Sequence, residues 1–149
     1  MTSTLYPLTL YYDGSCPLCL AEMRNLMVRN TAGHLAFVDA SAEGFSPPEG
    51  ATQAAMMRLL HAQAADGQWL SGVAVFVAMY EAVGLSWVSR ALNLRWLRPL
   101  ADACYPWVAR SRYLIPRTLV APVFELALHR AAVRSANRCA EGTCERDAS

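Results

Sequence analysis

The segment YYDGSCPLCLAEMRNL, residues 11–26, changes its periodicity within a few positions. It overlaps the end of Leu5–Tyr12, an apolar and aromatic run typical of a buried strand. The Asp-Gly-Ser turn offers Ser15 as an N-cap, and Pro17 suits the first turn of a helix whose apolar residues recur every three or four positions. A strand that passes directly into a helix predicts the start of an α/β domain, with two cysteines at the junction.

The residues that follow predict the remaining elements of such a domain. Leu35–Val38 is a short apolar run typical of a second strand, and residues 41–52 form a loop that holds at most a short helix. An Asp-Gly pair predicts a hairpin, whose strands we place at Met56–Gln63 and Trp69–Ser71. Val73–Val83 is then a long apolar helix. The predicted order, β-α-β-(α)-β-β-α, is that of a thioredoxin-like α/β domain.

The C-terminal half predicts helices. Beyond Gly84 the helical pattern is interrupted by prolines, which predicts about two to four helices packed on the core. We expect a single thioredoxin-like domain over residues 1–135 that includes this helical extension. Residues 136–149, ANRCAEGTCERDAS, are polar and are expected to form a mobile tail with a second pair of cysteines.

Composition excludes some classes of function. Apolar residues make up 54% of the chain and charged residues 17%, as in globular proteins, and a formal net charge of +1 gives no reason to expect a nucleic-acid partner. The longest apolar stretch, residues 73–88, is short for a membrane span and is interrupted by Glu81 and Gly84. The N-terminus lacks the basic and apolar segments of a signal peptide, so we expect a cytoplasmic location. In that reducing compartment, reactive, metal-bound or buried cysteines are expected rather than a disulfide framework.

Cys16 and Cys19 have the position and spacing of a redox pair. A helix N-terminus lowers the pKa of a thiol, and a residue three positions further lies on the same side of the helix, within reach of a disulfide. We expect an exposed Cys16 to attack as a thiolate, and Cys19, covered by the apolar face of the helix, to resolve the mixed disulfide. Asp13, the third residue of this predicted catalytic set, is expected to cap the turn and to tune Cys19 or accept its proton.

The residues around this pair resemble the DCC family of thiol-disulfide oxidoreductases. That family has an Asp-Gly-x-Cys-x-x-Cys core after its first strand, matched here by Asp13, Gly14, Cys16 and Cys19. The segment HAQAADGQWLSGVAVFV, residues 61–77, resembles the family's hairpin and the helix after it. Residues 105–113, YPWVARSRY, are similar to its C-terminal Tyr-x-x-hydrophobic-Ala-x-x-Arg element, in which we take Arg110 as the matching arginine. The resemblance covers most of residues 9–113.

The resemblance implies a thioredoxin-like fold and dithiol redox activity at Cys16 and Cys19, with Gly14, Pro17 and Arg110 in support. Thiol-disulfide exchange needs no bound cofactor. We expect disulfide-bearing proteins or small thiols as substrates, and a partner dithiol or glutathione as reductant. The sequence also departs from the usual pattern. Thioredoxin-like enzymes usually carry a cis-proline just before the third strand, facing the cysteines, and here the nearest prolines, at positions 47 and 48, lie upstream.

Cys139 and Cys144 form a second pair, for which three alternatives remain open. They could relay electrons to or from the first pair, complete a four-thiolate zinc site with Cys16 and Cys19, or have no role. The second hypothesis for the function is accordingly a non-catalytic domain that binds metal or a partner through the same cysteines. The three histidines show no metal-ligand spacing.

The region between residues 86 and 117 is rich in arginine and tryptophan. Its three tryptophans, Trp87, Trp96 and Trp107, alternate with arginines, and its one acid is Asp102. We expect amphipathic helices with the tryptophans inward and the arginines in water, and the alternative is a surface for a partner or a membrane. Cys104 lies on an apolar helical face of this region and is expected to be a buried core thiol.

Overall fold

The computed structural model describes residues 5–116 and, beyond them, residues 118, 119, 122, 125, 126, 129, 130 and 133. Strands and helices alternate in the first half of the chain, and helices follow in the second. The elements are β1 (Leu8–Tyr12), α1 (Pro17–Arg29), β2 (Leu35–Asp39), α2 (Gln53–Arg58), β3 (His61–Gln63), β4 (Trp69–Ser71), α3 (Val73–Ala82), α4 (Ser86–Leu92) and α5 (Leu97–Ser111). This order confirms the predicted thioredoxin-like α/β fold.

The four strands form one mixed sheet in the order β2-β1-β3-β4. β1 and β2 are parallel, with Leu8 opposite Leu35 and Tyr12 opposite Asp39, and α1 makes the crossover between them. β3 runs antiparallel to β1 and forms the predicted hairpin with β4. β1 therefore lies inside the sheet, between β2 and β3. The two cysteines follow its C-terminal end.

Alternation along β1 divides the core between the two faces of the sheet. Leu8 and Leu10 are fully buried on one face, where they pack with residues of α1 and α3 such as Met23 and Met79. Tyr11 points to the other face and packs with Met56 of α2. Because successive residues of a strand point to opposite sides, one apolar strand supports both halves of the core.

The third strand is shorter than predicted. Met56 and its neighbours do not extend the hairpin but belong to α2, which Thr52 caps by accepting a hydrogen bond from the backbone N–H of Ala55 at 3.2 Å. Only His61–Gln63 then remains for β3. The short helix predicted within residues 41–52 is thus found immediately after that segment, because the threonine stops the loop and starts the helix.

The helical extension is confirmed, but its orientation differs from the prediction. Trp87, Trp96 and Trp107 are exposed, at 67%, 70% and 70% of their surface, and Cys104 is exposed as well, so the inward placement of the tryptophans and the buried core thiol were wrong. The inward face of α5 instead carries Tyr105, which packs against Phe76. A periodic pattern shows which residues share a face of a helix, but the apolar arc of α5 is broad enough to include both the exposed Trp107 and the inward Tyr105, and the pattern does not choose between them.

Two predictions concern the whole chain, of which the structure describes only a part. Among the described residues, no helix is long and apolar enough to cross a membrane. The predicted tail at 136–149, with Cys139 and Cys144, and the domain boundary before it lie outside the described residues.

Candidate redox site

The turn between β1 and α1 is organised by a buried carboxylate. Asp13 Oδ1 accepts hydrogen bonds from the backbone N–H of Ser15 at 3.0 Å and from the Ser15 hydroxyl at 2.5 Å, and the Asp13 carbonyl accepts one from the Cys16 N–H at 3.2 Å. This is the turn-capping role expected of Asp13. The carboxylate fixes where the chain leaves the strand and therefore where the first cysteine lies.

Gly14 lies against a second carboxylate. Its N–H donates to Asp39 Oδ1 at 3.0 Å, and a Cβ at this position would overlap the Asp39 side chain. Burial alone would raise the pKa of Asp39, but hydrogen bonds from Ser41 and from the Gly14 N–H outweigh burial and lower that pKa. The glycine expected to support the site is thus required by a close approach of the end of β2 to the turn.

Cys16 is the N-cap of α1, and Pro17 takes the first helical position. Its sulfur accepts a hydrogen bond from the Cys19 N–H at 3.4 Å, and the residue is 0% exposed. The sequence predicted an exposed Cys16 inside the first helical turn, with Ser15 as the cap, and both predictions were wrong. An N-cap side chain folds back over the free N–H groups of its helix, and this same geometry buries the sulfur.

The surroundings of Cys16 favour its thiolate. Its pKa is lowered to about 6, first by the hydrogen bond with the Cys19 thiol. Burial opposes this shift, whereas the backbone N–H groups of the helix end and the positive charge of Arg112 add to it. The thiolate that the sequence predicted at the helix N-terminus therefore has its physical basis in the structure.

Cys19 is the more accessible of the two cysteines, contrary to prediction. It is half-buried. Its hydrogen bond with Cys16 raises its pKa, and burial acts in the same direction. Nη1 of Arg112 lies 3.5 Å from its sulfur. In the reduced pair, Cys19 is consequently the protonated partner of a Cys16 thiolate.

Arg112, which follows the last residue of α5, was missed by the sequence reasoning. Its Nη2 lies 3.3 Å from Asp13 Oδ2, with side-chain exposures of 7% and 0%, and also donates to the Met57 carbonyl. The Tyr113 hydroxyl donates to the same carboxylate oxygen of Asp13. One guanidinium thus connects the turn, the second cysteine and the end of α2, while its Nε has no hydrogen-bond partner among the described residues.

The predicted arginine, Arg110, is exposed and lies two residues before the arginine that reaches the cysteines. The signal that identifies Arg112 was present in the sequence. In the pattern Tyr-x-x-hydrophobic-Ala-x-x-Arg, counting from Tyr105 through Ala109 arrives at Arg112. These three residues lie on one face of a helix at successive turns, and it is the inward face.

The position before β3, where a proline was missing from the sequence, is Leu60. Its N–H donates to the Tyr105 hydroxyl at 3.0 Å, an interaction that a proline could not make. Tyr105 therefore connects α5 to the start of β3. Burial raises the pKa of this tyrosine, so its hydroxyl stays protonated over the physiological range.

A cavity of about 470 Å³ lies beside the pair, between α1 and α3 on one side and α4 and α5 on the other. Cys19 and Arg112 lie in its wall, and most of the remaining wall is apolar. These apolar residues include Leu18, Met23, Phe76, Val88, Leu92 and Val108. The cavity has the size and the lining of a site for a small molecule, and the sulfur of Cys19 lies in its wall.

The metal-binding alternative finds no support in the part of the chain that the structure describes. No group of three or more histidines, cysteines or acids comes together there. A zinc site shared with Cys139 and Cys144 would involve residues outside this part.

The ionisation of Cys16 gives a first testable prediction. The ultraviolet absorbance of the thiolate in the reduced protein should titrate with an apparent pKa of about 6. A pKa of about 6 lies below the ordinary pKa of a thiol, so the ionised Cys16 stabilises the folded protein at pH values above that ordinary pKa. The stabilisation is lost as the pH falls through about 6.

Removing the thiol donor in Cys19→Ala should raise the pKa of Cys16, whereas Cys104→Ala should leave it unchanged. A Cys16 titration that is the same in both variants would show that the hydrogen bond between the two sulfurs does not cause the shift.

The comparisons with known proteins agree with this geometry. The sequence model of the family described as DCC1-like thiol-disulfide oxidoreductase matches residues 10–118. An uncharacterised chloroplastic protein of Arabidopsis thaliana is 37% identical over 110 residues, which are 72% of this chain and 51% of that protein. The chain thus spans about half the length of that relative, and the cytoplasmic location remains a prediction. No solved structure matches the chain. Because the family match runs from within β1 to beyond α5, and includes both cysteines and Arg112, the chain belongs to the DCC1-like thiol-disulfide oxidoreductase family.

Proposed function

We propose that this chain is a dithiol-disulfide oxidoreductase in which Cys16 and Cys19 alternate between two thiols and one intramolecular disulfide. The observation that carries the proposal is the hydrogen-bonded pair at the N-terminus of α1. The Cys16 sulfur accepts the Cys19 N–H at 3.4 Å and shares a hydrogen bond with the Cys19 thiol. A paired thiolate and thiol at a helix end have the chemistry needed for rapid exchange.

Exchange at such a pair is balanced without a cofactor. Closing the disulfide removes two electrons and two protons from the two thiols, and these pass to a substrate disulfide, which becomes two thiols. The exchange proceeds through a mixed disulfide between one cysteine of the pair and the substrate. A partner dithiol or glutathione then returns the pair to its reduced form.

Asp13 and Arg112 act as positioning residues in this proposal. Arg112 places its positive charge between the sulfurs and the buried carboxylate of Asp13, so that neither charge is left uncompensated. Asp13 also holds the turn that makes Cys16 the N-cap. Their effect on exchange should therefore appear in the pKa of Cys16 as well as in the stability of the fold.

The redox potential of the pair gives a second prediction. A proline directly after the first cysteine is similar to glutaredoxin-type motifs, and a stabilised thiolate stabilises the reduced form. We expect roughly −230 to −150 mV, between thioredoxin at about −270 mV and the strongest disulfide oxidants at about −120 mV. Equilibration with glutathione buffers measures it. A value at or below that of thioredoxin would show that the helix end does not stabilise the thiolate as proposed.

The proposal is tested by catalysed exchange in the metal-free protein. Reduction of a small uncharged disulfide such as dimethyl disulfide should be faster with the protein than without it, when a dithiol reductant is supplied. Metal analysis of protein purified without chelator distinguishes the proposed oxidoreductase from the alternative, a domain that binds metal through the same cysteines. Equimolar zinc that is lost when Cys16 or Cys139 is replaced would favour the non-catalytic metal-binding domain.

A further inference from the structure

A redox cysteine needs a stabilised thiolate and access to the substrate, and here each of these properties is found on a different sulfur. Cys16 carries the stabilised charge but is 0% exposed. Cys19 is half-buried and lies in the wall of the cavity, whose lining does not include Cys16. A substrate that enters the cavity therefore meets the second cysteine of the motif and not the first.

We propose that substrates exchange at the sulfur of Cys19 from within the cavity, so that the mixed disulfide forms on Cys19 and the buried Cys16 opens and closes the intramolecular disulfide. This inference rests on the proposed function, because it assigns the order of events within the same pair. It reverses the roles predicted from the sequence, in which an exposed Cys16 attacked first.

The chemistry balances in the direction that oxidises a substrate. A substrate thiolate attacks the Cys19 sulfur of the Cys16–Cys19 disulfide, a new S–S bond forms, and Cys16 leaves as a thiolate. A second substrate thiolate attacks the substrate sulfur of the mixed disulfide, and Cys19 leaves and takes up a proton. Two substrate thiols thus become one disulfide while the pair becomes a dithiol, and the same steps run backwards in reduction.

The different properties of the two sulfurs favour a mechanism in which the substrate exchanges at Cys19 and Cys16 is the leaving group. A thiolate of low pKa is a good leaving group, and leaving does not require access to solvent. Cys16, with a pKa of about 6, is held by the helix end that receives its charge. Attack, in contrast, requires access to the sulfur that is attacked, and Cys19 is the half-buried sulfur in the wall of the cavity.

The cavity also points to a class of substrate. Its wall is apolar apart from a few groups near the cysteine end, such as Arg112 and Asp13, and at the Glu22–Tyr80 pair. Transfer of a charged tripeptide such as glutathione into these surroundings would strip its charges of water without pairing them. An aliphatic or aromatic group gains free energy from the same transfer. We therefore assign to this cavity small thiols and disulfides whose sulfur is attached to an apolar group.

The order of events is tested with single-cysteine variants. Cys16→Ser and Cys19→Ser are made in a background with the other cysteines replaced, and each is treated with the 2-pyridyl disulfides of benzyl mercaptan, of glutathione and of methanethiol. The leaving group is the same in all three probes, and dividing each rate by that of the methyl probe removes differences in thiol ionisation. Circular dichroism checks the fold of each variant.

With Cys19 as the remaining thiol, we expect the benzyl probe to react at least tenfold faster than the glutathione probe on this relative scale, and to leave a stable mixed disulfide. With Cys16 as the remaining thiol, the preference should be absent and labelling slower. If the Cys16 thiol is labelled faster and shows the benzyl preference, the assignment is overturned while the proposed function stands. If neither thiol forms a mixed disulfide, the proposed function itself fails.

Filling the cavity tests the substrate class independently. Ala101 of α5 lines the cavity, and Ala103 is exposed two residues later on the same helix. In the variant that keeps Cys19 as its single cysteine, Ala101→Phe should lower the relative rate with the benzyl probe at least tenfold and leave the rate with the methyl probe unchanged. Ala103→Phe should leave both rates unchanged. Equal benzyl rates in the two variants, with the methyl rates intact, would contradict binding in this cavity.

Discussion

Replacing Cys16 with serine should lower multiple-turnover disulfide exchange by at least about 10³-fold, the order of loss seen when a group that acts as part of a catalytic unit is removed. A single remaining sulfur can exchange once with a substrate but cannot close an intramolecular disulfide. Cys19→Ser should cause a loss of the same order for the same reason. Steady-state reduction of a small disulfide under a dithiol reductant measures the effect.

The matched control is the double variant Cys139→Ser, Cys144→Ser. It removes the same number of thiols as replacing both members of the pair, but at positions beyond residues 10–118, which the family match covers. We expect turnover of a small disulfide close to that of the wild type. Retained turnover in the Cys16→Ser variant, or an equal loss in the control, would contradict an active pair at residues 16 and 19.

The second large effect is expected on stability. Arg112→Ala should lower the free energy of unfolding by about 3–5 kcal/mol, because it leaves the buried carboxylate of Asp13 without its counter-charge. The Met57 carbonyl and the Tyr113 hydroxyl lose a partner as well. Urea unfolding of the reduced protein measures the change.

Arg110→Ala is the control for this effect, since Arg110 is exposed and lies two residues away on the same segment. A surface change of this kind is expected to stay within about 0.5 kcal/mol. Adding Asp13→Asn to Arg112→Ala should recover part of the loss, because the carboxylate charge that lost its partner is then removed as well. Equal destabilisation by the two arginine variants would show that the ion pair with Asp13 is not the cause.

The order of the elements could be predicted because each has a local signal. The period-two run of β1, the Asp-Gly hairpin and the long apolar α3 are each defined by neighbouring residues. The start of β3 was placed too early because the pattern of residues 56–63 fits a strand as well as a helix, whereas the cap at Thr52 makes residues 56–58 the end of α2. Boundaries of short elements depend on such single contacts.

The pair of cysteines could be found in the sequence, but its surroundings could not. The junction of strand and helix places Cys16 at a helix end and Cys19 one turn further, and the pKa of the Cys16 thiol is lowered first by its hydrogen bond with the Cys19 thiol and then by the backbone N–H groups of that helix end. The burial of Cys16 does not follow from this position, because the same capping contact that stabilises the charge also turns the sulfur inward. Arg112 reaches Asp13 across 99 positions of the chain, and only the packing of α5 against the core brings them together.

The most direct test of the proposed function is whether Cys16 and Cys19 form a reversible disulfide. Trypsin first cleaves the chain after Arg24, so one peptide contains both of these cysteines and no other. The protein is equilibrated in glutathione buffers of increasing potential, alkylated, digested and weighed by mass spectrometry. We predict that this peptide passes in a single two-electron step from two alkylated thiols to an unalkylated form that lacks two hydrogens. A peptide that keeps two alkylatable thiols at every potential would contradict a redox pair at these positions.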